Sequence, residues 1–167
     1  MLPLRLGLWD AAQDHRAAIL EQVALAMSHD PSSALGVGTG WSSAKDFLER
    51  PKMGALREHI RQCLPWVPWQ IDAWANVMKS GDQVRAHNHG LSHRGGRNEW
   101  AGVHFVEVPD RGPPLIVHLD GVPMPIVARE TLTVVFPADV AHEVPSHMFD
   151  GRRVSVAFSA RHLEDSR

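Results

Sequence analysis

Two histidines separated by a single residue, His87 and His89, form the densest group of chemically active side chains in this 167-residue sequence. In a β-strand, residues two apart project from the same face, so both imidazoles can point to one side of a sheet. Two imidazoles placed in this way can occupy adjacent positions around a metal ion. A third ligand from a distant strand would complete a facial triad and leave three positions of an octahedral ion open for exogenous ligands.

His142 is the candidate third ligand, because it follows a proline-containing turn that begins at Phe136-Pro137. Arg153 and Ser155 come next in the sequence, and they share one strand face by the same period of two. A guanidinium with a hydroxyl beside it can bind a carboxylate through a bidentate fork and one further donor. Such a clamp could hold the far end of a short dicarboxylate while its near end chelates the metal.

The first 65 residues, which would have to pack beside this site, carry helical patterns. We predict a first helix that begins with a capping box at Asp10 and Gln13 and ends at Asp30. A glycine-containing segment that follows has no phosphate-loop spacing and is interpreted as a connector. A second helical region is predicted over 42–64, interrupted near Pro51.

From Trp69 onward the hydrophobic period changes to two, which is typical of β-strands. No helical pattern separates the strands, which excludes a parallel α/β sheet, since parallel strands need crossover connections. We therefore predict a single mainly β domain over 1–167, a sandwich or jelly roll with its core at 66–160 and the N-terminal helices packed on one face. The predicted strands are 69–78, 83–89, 100–108, 114–119, 123–128, 131–136, 141–145 and 152–159.

Taken in order, these motifs resemble the 2-oxoglutarate/Fe(II)-dependent dioxygenases. The similarity is greatest to small oxygenases of prokaryotes and phages and spans about residues 38–159. The motifs that carry it are Gly40-Trp41-Ser42-Ser43, Trp74-Ala-Asn76, Lys79-Ser-Gly81-Asp82, His87-Asn-His89, Trp100-Ala-Gly102-Val103, Phe136-Pro137, His142 and Arg153-Val-Ser155.

The resemblance implies a double-stranded β-helix, which is a cupin-like jelly roll, and an oxygenase that uses Fe(II) as cofactor and 2-oxoglutarate as co-substrate. It implies that His87, His89 and His142 bind iron, that Arg153 and Ser155 bind the distal carboxylate of 2-oxoglutarate, and that Asn76 orients the co-substrate or the ligands. The substrate would be a small molecule or an amino-acid or peptide side chain, with O₂ as the second substrate.

The sequence departs from the family pattern in three places. His89 stands where a carboxylate is usual, which leaves the iron site one charge more positive. His104 and Phe105 stand where close relatives have tyrosines, and His104 is the candidate to replace a tyrosine hydroxyl beside 2-oxoglutarate. An insertion over 90–99, which carries His93, Arg94, Arg97 and Glu99, is either a substrate-facing lid or an ordinary surface loop.

Two other function classes fit the same residues. A three-histidine cupin would oxidise its substrate without 2-oxoglutarate, and a metal-free jelly-roll module would only bind or assemble. The net charge of -2, with no concentrated basic run, argues against nucleic-acid binding. No segment approaches the roughly 20 apolar residues of a membrane span, and the single cysteine excludes an internal disulfide. We expect a cytoplasmic protein that could form a homodimer.

Overall fold

The computed structural model describes residues 4–33, 36–91 and 97–163. Over these ranges the chain forms helices α1 (Ala12–His29) and α2 (Gly54–Cys63) and a short 3-10 helix, Phe47–Glu49. The strands are β1 (Arg5–Leu8), β2 (Trp41–Ser42), β3 (Trp69–Lys79), β4 (Val84–His87), β5 (Trp100–Glu107), β6 (Leu115–Leu119), β7 (Val122–Ile126), β8 (Leu132–Pro137), β9 (His142–Val144) and β10 (Arg152–His162).

The strands form two facing antiparallel sheets. The larger sheet has the order β1-β8-β5-β10-β3-β2, and the smaller has the order β4-β9-β6-β7. Most of the strands from β3 onward lie in a different sheet from the next strand in sequence, as β3 and β4 do, which is typical of a jelly roll. All eight strands predicted from the period-two pattern are present, and the predicted mainly β double-stranded β-helix is confirmed.

Alternation along the central strands divides the interior into two cores. On β3, Ala73, Ala75 and Val77 pack toward the helices, whereas Trp74 and Met78 pack toward the smaller sheet. β10 follows the same rule, because successive residues of a strand point to opposite faces. The helices therefore cover one face of the larger sheet, and the space between the two sheets is left for the site.

The N-terminal 65 residues are not only helical. β1 pairs with β8 and extends the larger sheet at one edge, with Arg5 opposite Val135. β2 pairs with β3 and extends it at the other edge, with Trp41 opposite Val77. The predicted helical region over 42–64 is correspondingly smaller, since only the 3-10 helix and α2 are helical there.

The predicted capping box at Asp10 and Gln13 is wrong. The N-cap residue of α1 is Ala11, and no side chain caps the helix. The reason is tertiary: the Trp9 N–H donates to the Thr131 carbonyl at 3.0 Å, which holds the chain on the sheet until just before the helix begins. The predicted end at Asp30 is confirmed. No helix among the described residues has the length and hydropathy required to cross a bilayer.

Candidate active site

Three histidines converge on one point at the edge of the smaller sheet. β4 and β9 are paired with His87 directly opposite His142. His89 lies just beyond the end of β4, and its backbone N–H donates to the Ala138 carbonyl at 2.8 Å. The candidate ligand atoms of the three imidazoles all lie within 4.8 Å of one another. The structure thus brings together the His-x-His pair and the distal histidine that the sequence separates by more than 50 residues.

Backbone carbonyls set the tautomer of two of these rings. His87 Nδ1 lies 2.8 Å from the Arg85 carbonyl oxygen, and His142 Nδ1 lies 3.2 Å from the Val140 carbonyl oxygen. A carbonyl can only accept, so Nδ1 of each ring carries the proton and donates it. This leaves the lone pair of Nε2 available on both rings, which is the arrangement that orients a histidine as a metal ligand.

Burial keeps the three imidazoles neutral. It lowers the pKa of His89 to about 3, an effect strengthened by the neighbouring His142, His87 and Lys45. Burial, followed by the proximity of His87, lowers the pKa of His142 to about 4. The pKa of His87 is also lowered by burial, partly opposed by its hydrogen bond to Arg85. Metal binding requires the unprotonated imidazole, so the site is prepared for a cation at neutral pH.

The larger sheet supplies the facing wall. Ser155 on β10 is opposite Asn76 on β3 in the strand register, and Arg153 lies two residues before Ser155 on the same face. Between the sheets lies a cavity of about 210 Å³ that is lined by these three residues and by all three histidines. Six of the seven residues predicted for the site therefore share one cavity.

Arg153 is the most unusual of them, because its side chain is buried without an anionic partner. The residue is 2% exposed, and among the described residues no carboxylate oxygen lies within 4 Å of its guanidinium. Its Nη1 lies 3.3 Å from the Met78 sulfur, and its Nε has no hydrogen-bonding partner. Burial lowers its pKa to about 10, so it stays charged at neutral pH. An unpaired buried charge of this kind is costly unless a ligand completes it.

His104 does not lie in the cavity, contrary to expectation. On β5, Val103 and Phe105 point toward the smaller sheet, so the side chain between them points to the helices. There His104 Nδ1 lies 2.8 Å from Thr133 Oγ1, and His59 Nε2 lies 2.7 Å from the same oxygen. The larger sheet therefore separates the His104 side chain from the cavity, and the structure does not place it where the expected contact with 2-oxoglutarate would form.

Two residues that line the cavity, Lys45 and Trp74, were not predicted as functional. Lys45 lines the cavity, and its Nζ lies 5.2 Å from the centroid of the Trp74 ring. Trp74 in turn contacts His89, with 5.2 Å between ring centroids. In the sequence, Trp74 stands out only as part of the Trp74-Ala-Asn76 motif, and Lys45 lies in the region 42–64 that was predicted to be helical, where nothing marks it as functional. The segment interpreted as a connector also contributes to the cavity wall, through Gly36 and Val37.

The base of the 90–99 insertion is tied to the site. Leu91 and Arg97 form an isolated β-bridge, and the Asn98 side-chain amide donates to the His89 carbonyl at 2.7 Å. Arg97 and Glu99 are exposed. His93 and Arg94, also expected near the cavity, lie outside the described residues, so the choice between lid and surface loop stays open.

The fold is shared with structures of 2-oxoglutarate-dependent oxygenases. A Pseudomonas putida prolyl-4-hydroxylase matches with a TM-score of 0.71 and 19% identity, over 97% of this chain and 94% of that one. SnoK, a non-heme α-ketoglutarate-dependent carbocyclase of nogalamycin biosynthesis, matches with a TM-score of 0.72 and 12% identity, over 99% of this chain and 85% of that one. HygX of Streptomyces hygroscopicus, with nickel and 2-oxoglutarate bound, matches with a TM-score of 0.69 and 9% identity, over 97% of this chain and 83% of that one. No protein-family model and no curated protein matches the chain.

Proposed function

We propose that this protein is an Fe(II)- and 2-oxoglutarate-dependent oxygenase that acts on a small molecule or on an amino-acid or peptide side chain. The observation that carries the proposal is one cavity that places three neutral imidazoles opposite a buried guanidinium without a carboxylate partner. The fold supports it, since the HygX structure of the same fold holds nickel and 2-oxoglutarate.

The histidines fit a divalent transition metal. His87, His89 and His142 would bind it, and imidazole nitrogens suit Fe(II), which also accepts open coordination positions. The lowered pKa values of His89 and His142 keep both rings unprotonated, so little proton release accompanies binding at neutral pH. When bound, Fe(II) and 2-oxoglutarate together supply the oxidation of a substrate by O₂.

The wall of the larger sheet fits the distal carboxylate of 2-oxoglutarate. Arg153 would donate from its unpartnered guanidinium, and the Ser155 hydroxyl would add a neutral donor on the same strand face. Asn76 also has an unpartnered buried Oδ1, which can accept from a bound group or orient its own amide toward one. Because all three project from central strands of a sheet, they are fixed before the co-substrate arrives.

The three-histidine set is the one observation that favours a cupin-type metalloenzyme, since the site lacks the carboxylate ligand that is usual in 2-oxoglutarate-dependent oxygenases. Such an enzyme would leave Arg153 buried and unpaired beside the metal without any use for its charge. The guanidinium therefore favours a dicarboxylate co-substrate. A metal-free binding module would leave the three converging neutral imidazoles without a ligand to bind, so the site gives this alternative no support. The cytoplasmic location and the homodimer stay predictions.

The test is the binding of 2-oxoglutarate to Mn(II)-loaded protein by calorimetry, compared with 2-oxobutyrate, which lacks the distal carboxylate. Wild-type protein should bind 2-oxoglutarate at least tenfold more tightly, and Arg153→Gln should lose that preference. Arg152→Gln is the matched control, because Arg152 points to the other face and pairs with Glu107 at 2.7 Å. Equal binding of the two acids by wild-type protein would contradict the proposal.

A further inference from the structure

The backbone around Lys45 is fixed against β3. The Ser43 N–H donates to the Ala75 carbonyl at 2.8 Å, and the Ala75 N–H donates to Ser43 Oγ at 2.9 Å. The Ala73 N–H then donates to the Lys45 carbonyl at 3.0 Å. This double attachment on either side of residue 44 sets the direction in which the Lys45 side chain leaves the chain.

The Lys45 ammonium is held at the open end of the cavity and has no anionic partner. It lies over the Trp74 ring, and that ring contacts His89, so the cation stands one aromatic ring away from the metal ligands. Lys45 is exposed, and no described carboxylate lies within 4 Å of its Nζ. Its neighbour Asp46 lines an adjacent groove, which Lys45 also borders, but Asp46 does not line the cavity.

The lining of the cavity is one-sided in charge. Among the described residues that line it, Lys45 and Arg153 are cationic, and no Asp or Glu is present. Because the third candidate ligand is His89 rather than a carboxylate, a bound divalent metal would keep its full charge. One carboxylate of 2-oxoglutarate would neutralise part of the metal's charge, and the other would neutralise Arg153. The positive charge of Lys45 would then have no counterpart.

From this arrangement we propose that the substrate carries a carboxylate and that Lys45 binds it at the open end of the cavity. The proposal rests on the function proposed above and names the substrate class. A carboxylate fits better than a phosphate, because the Lys45 ammonium is the only unpaired cation at this end of the described cavity lining. The nearby Ser43 hydroxyl is not a free donor for a phosphate, since its Oγ already donates to the Ala44 carbonyl at 2.8 Å. An ordered Lys-carboxylate pair would also orient the reacting part of the substrate toward the metal.

The test uses protein loaded with Zn(II) and 2-oxoglutarate, which binds without turning over. The probes are the N-acetyl derivatives of the twenty amino acids, each paired with its carboxamide, so that only the charge of one group changes. Binding is measured by calorimetry on wild type, Lys45→Gln, Lys45→Arg and Lys79→Gln. Lys79 is the matched control, because it is exposed at the end of β3 and does not line the cavity.

We expect at least one carboxylate to bind wild type about two- to fivefold more tightly than its carboxamide, as for an exposed ion pair. The preference should vanish in Lys45→Gln and persist in Lys45→Arg and Lys79→Gln. Carboxamides that bind as tightly as carboxylates, a preference that survives in Lys45→Gln, or a panel with no binder would each overturn the inference. The 2-oxoglutarate loading step separates the two failures: a sample that binds no 2-oxoglutarate overturns the proposed function as well.

Discussion

Replacing Arg153 with methionine should stabilise the metal-free protein while it destroys co-substrate binding. The guanidinium is 2% exposed and lacks a carboxylate partner, so folding desolvates a charge with little compensation. Burial lowers its pKa from the usual arginine range to about 10, which corresponds to a cost on the order of 3 kcal/mol at 1.36 kcal/mol per unit. Methionine is of similar length and uncharged, and buried charges replaced by apolar residues often give gains of about 1–4 kcal/mol.

The assay is urea denaturation of metal-free protein, followed by the same measurement with Mn(II) and 2-oxoglutarate. Arg153→Met should raise the free energy of unfolding of the metal-free protein by about 1–3 kcal/mol. In wild type, 2-oxoglutarate at one hundred times its dissociation constant should add about 2.7 kcal/mol, and the variant should show none of this gain. A variant that is destabilised by more than about 2 kcal/mol and still gains stability from 2-oxoglutarate would show that Arg153 is a structural residue and does not bind the co-substrate.

Three further outcomes follow from the structure. His142→Ala should abolish stoichiometric metal binding in an anaerobic titration, and metal binding that persists in this variant would contradict the triad. His89→Asp should keep metal binding, because it restores the commoner ligand set. Stability of the metal-free protein should fall as pH drops from about 6.5 toward 3, because burial lowers the pKa of His59, and that of His104 to about 3, so only the unfolded chain gains these protons. In urea denaturation, His104→Asn should reduce the slope of the free energy of unfolding against pH by up to about 1.4 kcal/mol per pH unit, and an unchanged slope would count against a neutral His104.

The core strands were predictable where alternate residues pack in different surroundings, as on β3 and β10, whose two faces pack toward the helices and toward the smaller sheet. The period of two survives in the sequence, and the predicted strand over 100–108 is observed over 100–107. β1 escaped prediction because it is an edge strand with both Leu6 and Leu8 exposed, so burial imposes no alternation on it. β2 is two residues long, which is too short for any period.

The strand period predicted the His87–His89 pair and the Arg153–Ser155 pair, although His89 lies just beyond the end of β4. His142 was predicted from the turn at Phe136-Pro137 and from the family resemblance, and the cavity contains all five residues. The expectation for His104 came from the family pattern of tyrosines, whereas in the structure its neighbours Val103 and Phe105 face the smaller sheet and His104 faces the other way. Lys45 could not be found, because hydrogen bonds to β3, and not local periodicity, determine where its side chain lies.

The most direct measurement of the central claim is the anaerobic addition of Fe(II) and 2-oxoglutarate to the protein, followed by O₂. A facial triad leaves two adjacent positions for the 2-oxo acid, so the loaded protein should develop the weak visible absorption band of a metal-chelated 2-oxo acid. Succinate should then accumulate slowly after O₂ is admitted, even without the substrate. A protein that binds one Fe(II) per chain but gives neither the band nor succinate would contradict the account and favour a three-histidine cupin.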